Sequence, residues 1–167
     1  MQKYSLGIQS FLELRRNNCV YVDKTEKIYQ LIGDKAYFLS HPRRFGKSLL
    51  LSTLKYLFQG RKELFTGLWI EDKVDWTTLG HPVLHFSFIE SSFHSIGFEK
   101  YLHIKIDEQA ELHAVSLQNT DISNKIRELI TKISQKHQKG VVFLVDEYDK
   151  PINEFLRKDQ IPTAEAN

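Results

Sequence analysis

Gly46, Lys47 and Ser48 give the stretch FLSHPRRFGKSLLL, residues 38–51, the ending of a phosphate-binding loop. The usual loop reads G-x-x-x-x-G-K-[ST], and here His41 stands in the place of the first glycine. Such a loop works because successive backbone N–H groups at a helix N-terminus point at an anion, helped by the helix dipole. A side chain at position 46 would crowd the phosphate, Lys47 would reach the β- and γ-phosphates, and the Ser48 hydroxyl would ligate Mg²⁺. The first glycine sits at the loop entry, where it eases a turn, and Pro42 after it has no N–H to give. Nucleotide binding therefore survives His41 on this reading.

Taken alone, FGKS is also compatible with an ordinary helix start carrying a solvated lysine. A second constellation decides between the two. A nucleotide site needs a carboxylate at the end of a buried strand to hold magnesium through water, and Asp146 closes VVFLVD in that way. Glu147 directly follows it and is the natural base to orient and activate an attacking water.

Arg43 and Arg44 could face the phosphates, supply transition-state charge or grip a nucleic-acid backbone, or be a solvated pair. Asp23 reads as a helix cap with Glu26. Asp149 and Lys150 either pair with the loop or end the strand before Pro151. Tyr21, Phe45, Trp69 and Trp76 are candidates to stack on a base or to fill the core. His81 and His85 are four residues apart, about 13 Å in a strand, too far to share one ion.

These residues need elements to position them. Ile8, Phe11, Leu12 and Leu14 predict a short helix over 8–16, and Asp23, Glu26 and Gly33 predict a capped two-turn helix. AYFLS, residues 36–40, predicts a buried strand entering the loop, and KSLLLSTLKYLFQG a helix ending at Gly60. An irregular aromatic connection leads to a strand over 82–88, then helices near 97–113 and 121–137, the second capped by Asp121. VVFLVDEYD reads as a strand buried on both faces, and PINEFLRK as a short helix before a polar end. The alternation predicts a parallel α/β sheet with right-handed crossovers.

Composition sets the bounds. With 41% hydrophobic and 26% charged residues over 167 positions, the chain is that of a globular domain, and a net charge of +2 favours neither nucleic acid nor a membrane as partner. Cys19 is the only cysteine, which excludes intrachain disulfides and thiol-built zinc sites and reads as a small buried hydrophobe. No apolar run has signal-peptide length or approaches the roughly 20 residues of a membrane span, so the expected location is the cytosol.

Three ordered motifs, YVDKT, HPRRFGKSLLLSTLKYLFQGRKELFTGLWI and VVFLVDEYDKPI, make the chain resemble the bacterial AAA-ATPase-like family. The resemblance implies a P-loop NTPase fold of three α/β/α layers, a parallel sheet with helices on both faces. Residues 1–34 would be a helical lead-in, 35–60 the first motif strand with its loop and helix, and 141–150 the Walker B strand. It implies ATP and Mg²⁺ as cofactors, with Arg43, Arg44, Phe45, Gly46, Lys47, Ser48 and Leu49 around the nucleotide. Ser48 and Asp146 would serve the metal, and Glu147 with Lys47 catalysis. His41 replaces the arginine frequent in the family.

Members commonly continue into a PD-(D/E)XK nuclease-like domain. The sheet strand bearing the sensor residue, and any arginine finger, would come after residue 167, so the resemblance implies a fragment whose sheet is incomplete. Two other readings stay open. One is a nucleotide-binding or interaction fragment without turnover; the other is a nucleic-acid module using Arg43, Arg44, Arg61 and Lys62, in either case with oligomerisation open.

Overall fold

The computed structural model describes residues 3–4, 7–33, 36–39, 45–88 and 96–150. Their elements, in chain order, are α1 (Phe11–Arg16), α2 (Thr25–Tyr29), α3 (Lys47–Phe58), β1 (Val83–Ser87), α4 (Phe98–Leu112), α5 (Ile122–His137) and β2 (Val142–Asp146). Two 3₁₀ turns, Lys62–Leu64 and Trp69–Asp72, carry the aromatic connection between α3 and β1. The chain divides into two compact units: residues up to Val83 with Lys139–Val142, and Leu84–Gln138 with the described residues from Phe143 onward.

In the first unit α1 packs on α3. Ser10 caps α1 by accepting the Glu13 N–H, and the Phe11 N–H donates to Ser52 Oγ on α3 at 2.9 Å. Phe11 is fully buried between the rings of Tyr21 and Phe65, with centroids at 5.1 and 4.9 Å, the edge and tilted contacts that aromatic quadrupoles prefer. Leu51, Leu54 and Leu57 form the buried stripe of α3, at three-residue steps that keep one helix face inward. Cys19 is free and buried in this unit.

Two expectations are corrected here. Residues 36–39 form no strand, and Tyr37 and Phe38 are exposed, at 46 and 74%. Their apolar composition needed a neighbouring strand to become one, and the described residues offer none. Helix α2 is one turn shorter than expected and its N-cap is Lys24. Asp23 instead accepts the Thr25 N–H at 2.8 Å and hydroxyl at 2.7 Å, with its other oxygen taking the Trp69 N–H at 2.7 Å. Burial acts to raise the Asp23 pKa, but those hydrogen bonds outweigh it and hold the carboxyl below its usual range.

The second unit packs α4 and α5 together, with Tyr101, Ile106, Ala110, Leu129 and Ile133 buried. Asp121 caps α5 through the Asn124 N–H at 2.9 Å, where its sequence placed the helix start. Strands β1 and β2 form a parallel sheet, two strands among the described residues. The fold is thus α/β with a small parallel sheet.

Strand β2 is not buried on both faces, a further correction. Leu144 and Asp146 are buried while Phe143 is 44% exposed. One described neighbour strand covers it, and Phe86 of β1 stacks on the Phe143 ring at 4.9 Å. The short helix expected over PINEFLRK lies outside the described residues.

Candidate nucleotide site

Helix α3 starts where the loop motif ends. Gly46 is its N-cap in a left-handed conformation, φ +83° and ψ +22°, and its carbonyl accepts the first helical bond from the Leu50 N–H at 2.9 Å. No side chain caps this end and no acidic residue occupies the first turn. As at any helix start, the first-turn amides lie outside the intrahelical ladder, and the first turn itself supplies no carboxylate against the positive end of the helix dipole. Among the described residues a Cβ at position 46 would meet nothing within 4 Å, while its backbone angle favours glycine. Phe45, just before it, is 71% exposed. His41, Pro42, Arg43 and Arg44 lie outside the described residues.

The inner side of α3 is fixed to the unit through hydroxyls. Thr53 is fully buried, donates to Leu49 O at 2.9 Å and lies 3.4 Å from Tyr21 Oη. Burial pushes the Tyr21 hydroxyl above its ordinary pKa, with the Asp23 carboxylate adding to the effect. Of the four aromatic residues weighed as base-stacking groups, Tyr21 and Trp76 are committed to packing. Trp76 lies on Phe65 at 5.3 Å and donates its Nε1–H to Glu71 O.

In the second unit β2 ends on Asp146, which is 2% exposed. Its Oδ1 accepts the N–H of Glu147 at 2.9 Å. Glu147 adopts a left-handed φ of +55°, unusual for a residue with a side chain. Lys150 closes the turn, its N–H on Glu147 O at 3.1 Å and its ammonium 3.9 Å from Glu147 Oε2. Backbone strain of this kind at the end of a buried strand gathers at functional sites.

One residue here escaped the sequence reading. The Phe88 N–H donates to Asp146 O at 3.1 Å, and in a parallel ladder that bond sets Ser87 beside Asp146. A serine in a strand carries no signal by itself; only the pairing register, which no local pattern encodes, brings it to the acid.

Other groups do not converge. His81 Nδ1 is 2.9 Å from Gly140 O, and no three His, Cys, Asp or Glu side chains gather into a metal cluster among the described residues. Arg61 pairs with Glu63 at 2.5 Å. No helix among the described residues is long and apolar enough to cross a membrane.

Taken together these features define an α/β protein with a glycine-capped helix start and an acid-terminated parallel strand. The chain belongs to the family described as predicted AAA-ATPase, whose model matches residues 5–166. It is 42% identical over 166 residues to a protein of Azotobacter chroococcum mcd 1 described as "Uncharacterized protein in vnfD 5'region", covering 96% of this chain and 31% of that one. The chain spans about a third of the length of this relative. No solved structure matches it. Family membership ties the chain to an ATP-related function.

Proposed function

We propose that the chain binds ATP with Mg²⁺ as the nucleotide-binding part of an AAA-like ATPase. The observation that carries this reading is the start of α3 at Gly46 and Lys47, a glycine N-cap with no side-chain cap and no acid in the first turn, in a chain of the predicted AAA-ATPase family. Backbone amides at such a helix start receive phosphate oxygens, and Lys47 neutralises their charge. Arg43, Arg44, Phe45 and Leu49 complete the surroundings of the nucleotide.

Oxygen ligands suit a hard cation that keeps its water; Ser48 would supply one, and the buried Asp146 would hold the cation through its water. Bound Mg²⁺ would neutralise charge developing on the phosphates. Glu147 orients a water toward the γ-phosphorus and takes its proton as the bond to the ADP oxygen breaks. Hydrolysis and the work it drives belong to this proposal, as do any nuclease-like domain and any oligomer.

Calorimetric titration of Mg-ATP into the chain, beside Lys47→Ala, tests the reading. We expect binding that weakens at least about tenfold in the variant, the loss of one charge-assisted phosphate contact. Folded wild-type protein that takes up no nucleotide, or a variant that binds as tightly, would overturn it.

A further inference from the structure

Ser87 ends β1, and its Oγ is buried with no hydrogen-bond partner among the described residues. The Tyr101 hydroxyl donates to the backbone carbonyl of the same residue at 3.1 Å. A buried hydroxyl left unpaired is costly, and native proteins keep few of them without a ligand, water or catalytic reason. Alanine would fill the same strand position without that cost.

The register explains what the hydroxyl could serve. Phe88 N–H to Asp146 O at one end and Val142 N–H to Pro82 O at the other keep one constant offset, which sets Ser87 directly beside Asp146. Neighbours across a parallel ladder share a face, about 5 Å apart. Phe86 stacking on Phe143 places the intervening side chains on the opposite face, in agreement. Both residues therefore stand at the carboxyl ends of parallel strands, where open α/β sheets bind their ligands.

We propose that Ser87 is a positioning residue for the hydrated Mg²⁺ that accompanies the nucleotide. A metal-bound water can donate both protons, one to the Asp146 carboxylate and one to Ser87 Oγ, so the pair fixes its orientation. This rests on the reading of Asp146 as the magnesium residue.

The test is calorimetric ATP affinity with Mg²⁺ and with EDTA, for wild type, Ser87→Ala, Ser87→Thr, Asp146→Asn and Lys47→Ala, together with the thermal midpoint of each protein without ligand. We expect Ser87→Ala to weaken Mg-ATP binding about tenfold, as for an outer-shell partner, while leaving Mg-free affinity unchanged. Ser87→Thr restores it, and the ligand-free midpoint of Ser87→Ala is unchanged or higher because an unpaired hydroxyl is gone.

Wild-type Mg-ATP affinity in Ser87→Ala, with the Mg²⁺ dependence lost in Asp146→Asn, would overturn the role of Ser87 and leave the magnesium reading standing. Equal weakening with and without Mg²⁺, or a lowered ligand-free midpoint, would make the serine merely structural and overturn it too. An unchanged Mg²⁺ dependence in Asp146→Asn removes the reading and the Ser87 role with it.

Discussion

The N–H of Glu147 donates to the carboxylate of Asp146 at 2.9 Å, and Glu147 itself holds a left-handed φ of +55°. The two facts belong together: the acceptor on Asp146 offsets a backbone angle that costs a side-chain-bearing residue about 1–2 kcal/mol. Glycine adopts that angle freely but loses more chain entropy on folding, so Glu147→Gly should unfold at a urea concentration equal to or above wild type. Glu147→Val, branched at Cβ, should lose about 1–2 kcal/mol. Equal stability of the glycine and valine variants would show that the turn is not strained.

Glycine has different reasons at positions 46 and 60, and stability separates them. At Gly46 no described residue crowds a Cβ and the φ of +83° resists a side chain, so Gly46→Ala should cost about 1–2 kcal/mol. At Gly60 a Cβ would also come within 3.1 Å of the Gly80 backbone N, with φ at +71°, so Gly60→Ala should cost more. Urea unfolding ranks the pair, and the reverse order would contradict it. The functional order is opposite: only Gly46→Ala should abolish nucleotide binding in protein that remains folded.

Glu128 ties α5 to the segment before it. Its carboxylate pairs with Lys132 at 2.7 Å and accepts the N–H groups of Gln118 and Asn119. The Lys132 ammonium first, then the Asn119 backbone and side-chain donors, lower its pKa from 4.5 to about 2. A depressed carboxyl pKa contributes stability above the unfolded value, which is lost as pH falls through the folded one, here between 4.5 and about 2. The amide resonances of Gln118 and Asn119 should therefore titrate with a midpoint near 2 and become insensitive to acid in Glu128→Gln. A midpoint near 4.5 would mean that the carboxylate is not held.

What was legible in the sequence follows from how local each cause is. Helix α5 was readable because Asp121 and the isoleucine and leucine steps after it are all the helix needs. The apolar core of β2 was readable because an apolar run stopped by an acid is a local pattern, but the strand ends at Asp146 and not at the expected residue 150. Strand formation at AYFLS and double burial at VVFLV were not, since both depend on neighbouring strands that composition does not reveal. Gly46, Lys47 and Ser48 stood out as a motif. Ser87 did not, because its importance comes from a partner 59 residues away, through a register fixed only when β1 and β2 pair.

Asp23 shows the same limit and yields the most direct pH test. Its sequence context predicts a helix cap, yet the carboxylate reaches Trp69 N–H, 46 residues on, as well as both donors of Thr25. These bonds, acting against the desolvation that would raise it, hold the pKa below 3.8. The sign follows: the stabilisation is complete above the unfolded value and fades as pH falls through the lower folded one. Asp23→Ala should cost about 1–2 kcal/mol near neutral pH, since three donors lose their acceptor and the Thr25 hydroxyl is buried. Urea midpoints of wild type and variant, followed from about pH 6 down to about pH 2, should converge only below pH 3.8, where the native carboxylate takes up its proton. A gap that persists unchanged to the acid end would mean that the carboxylate's charge contributes nothing and that the loss comes from the missing side chain alone.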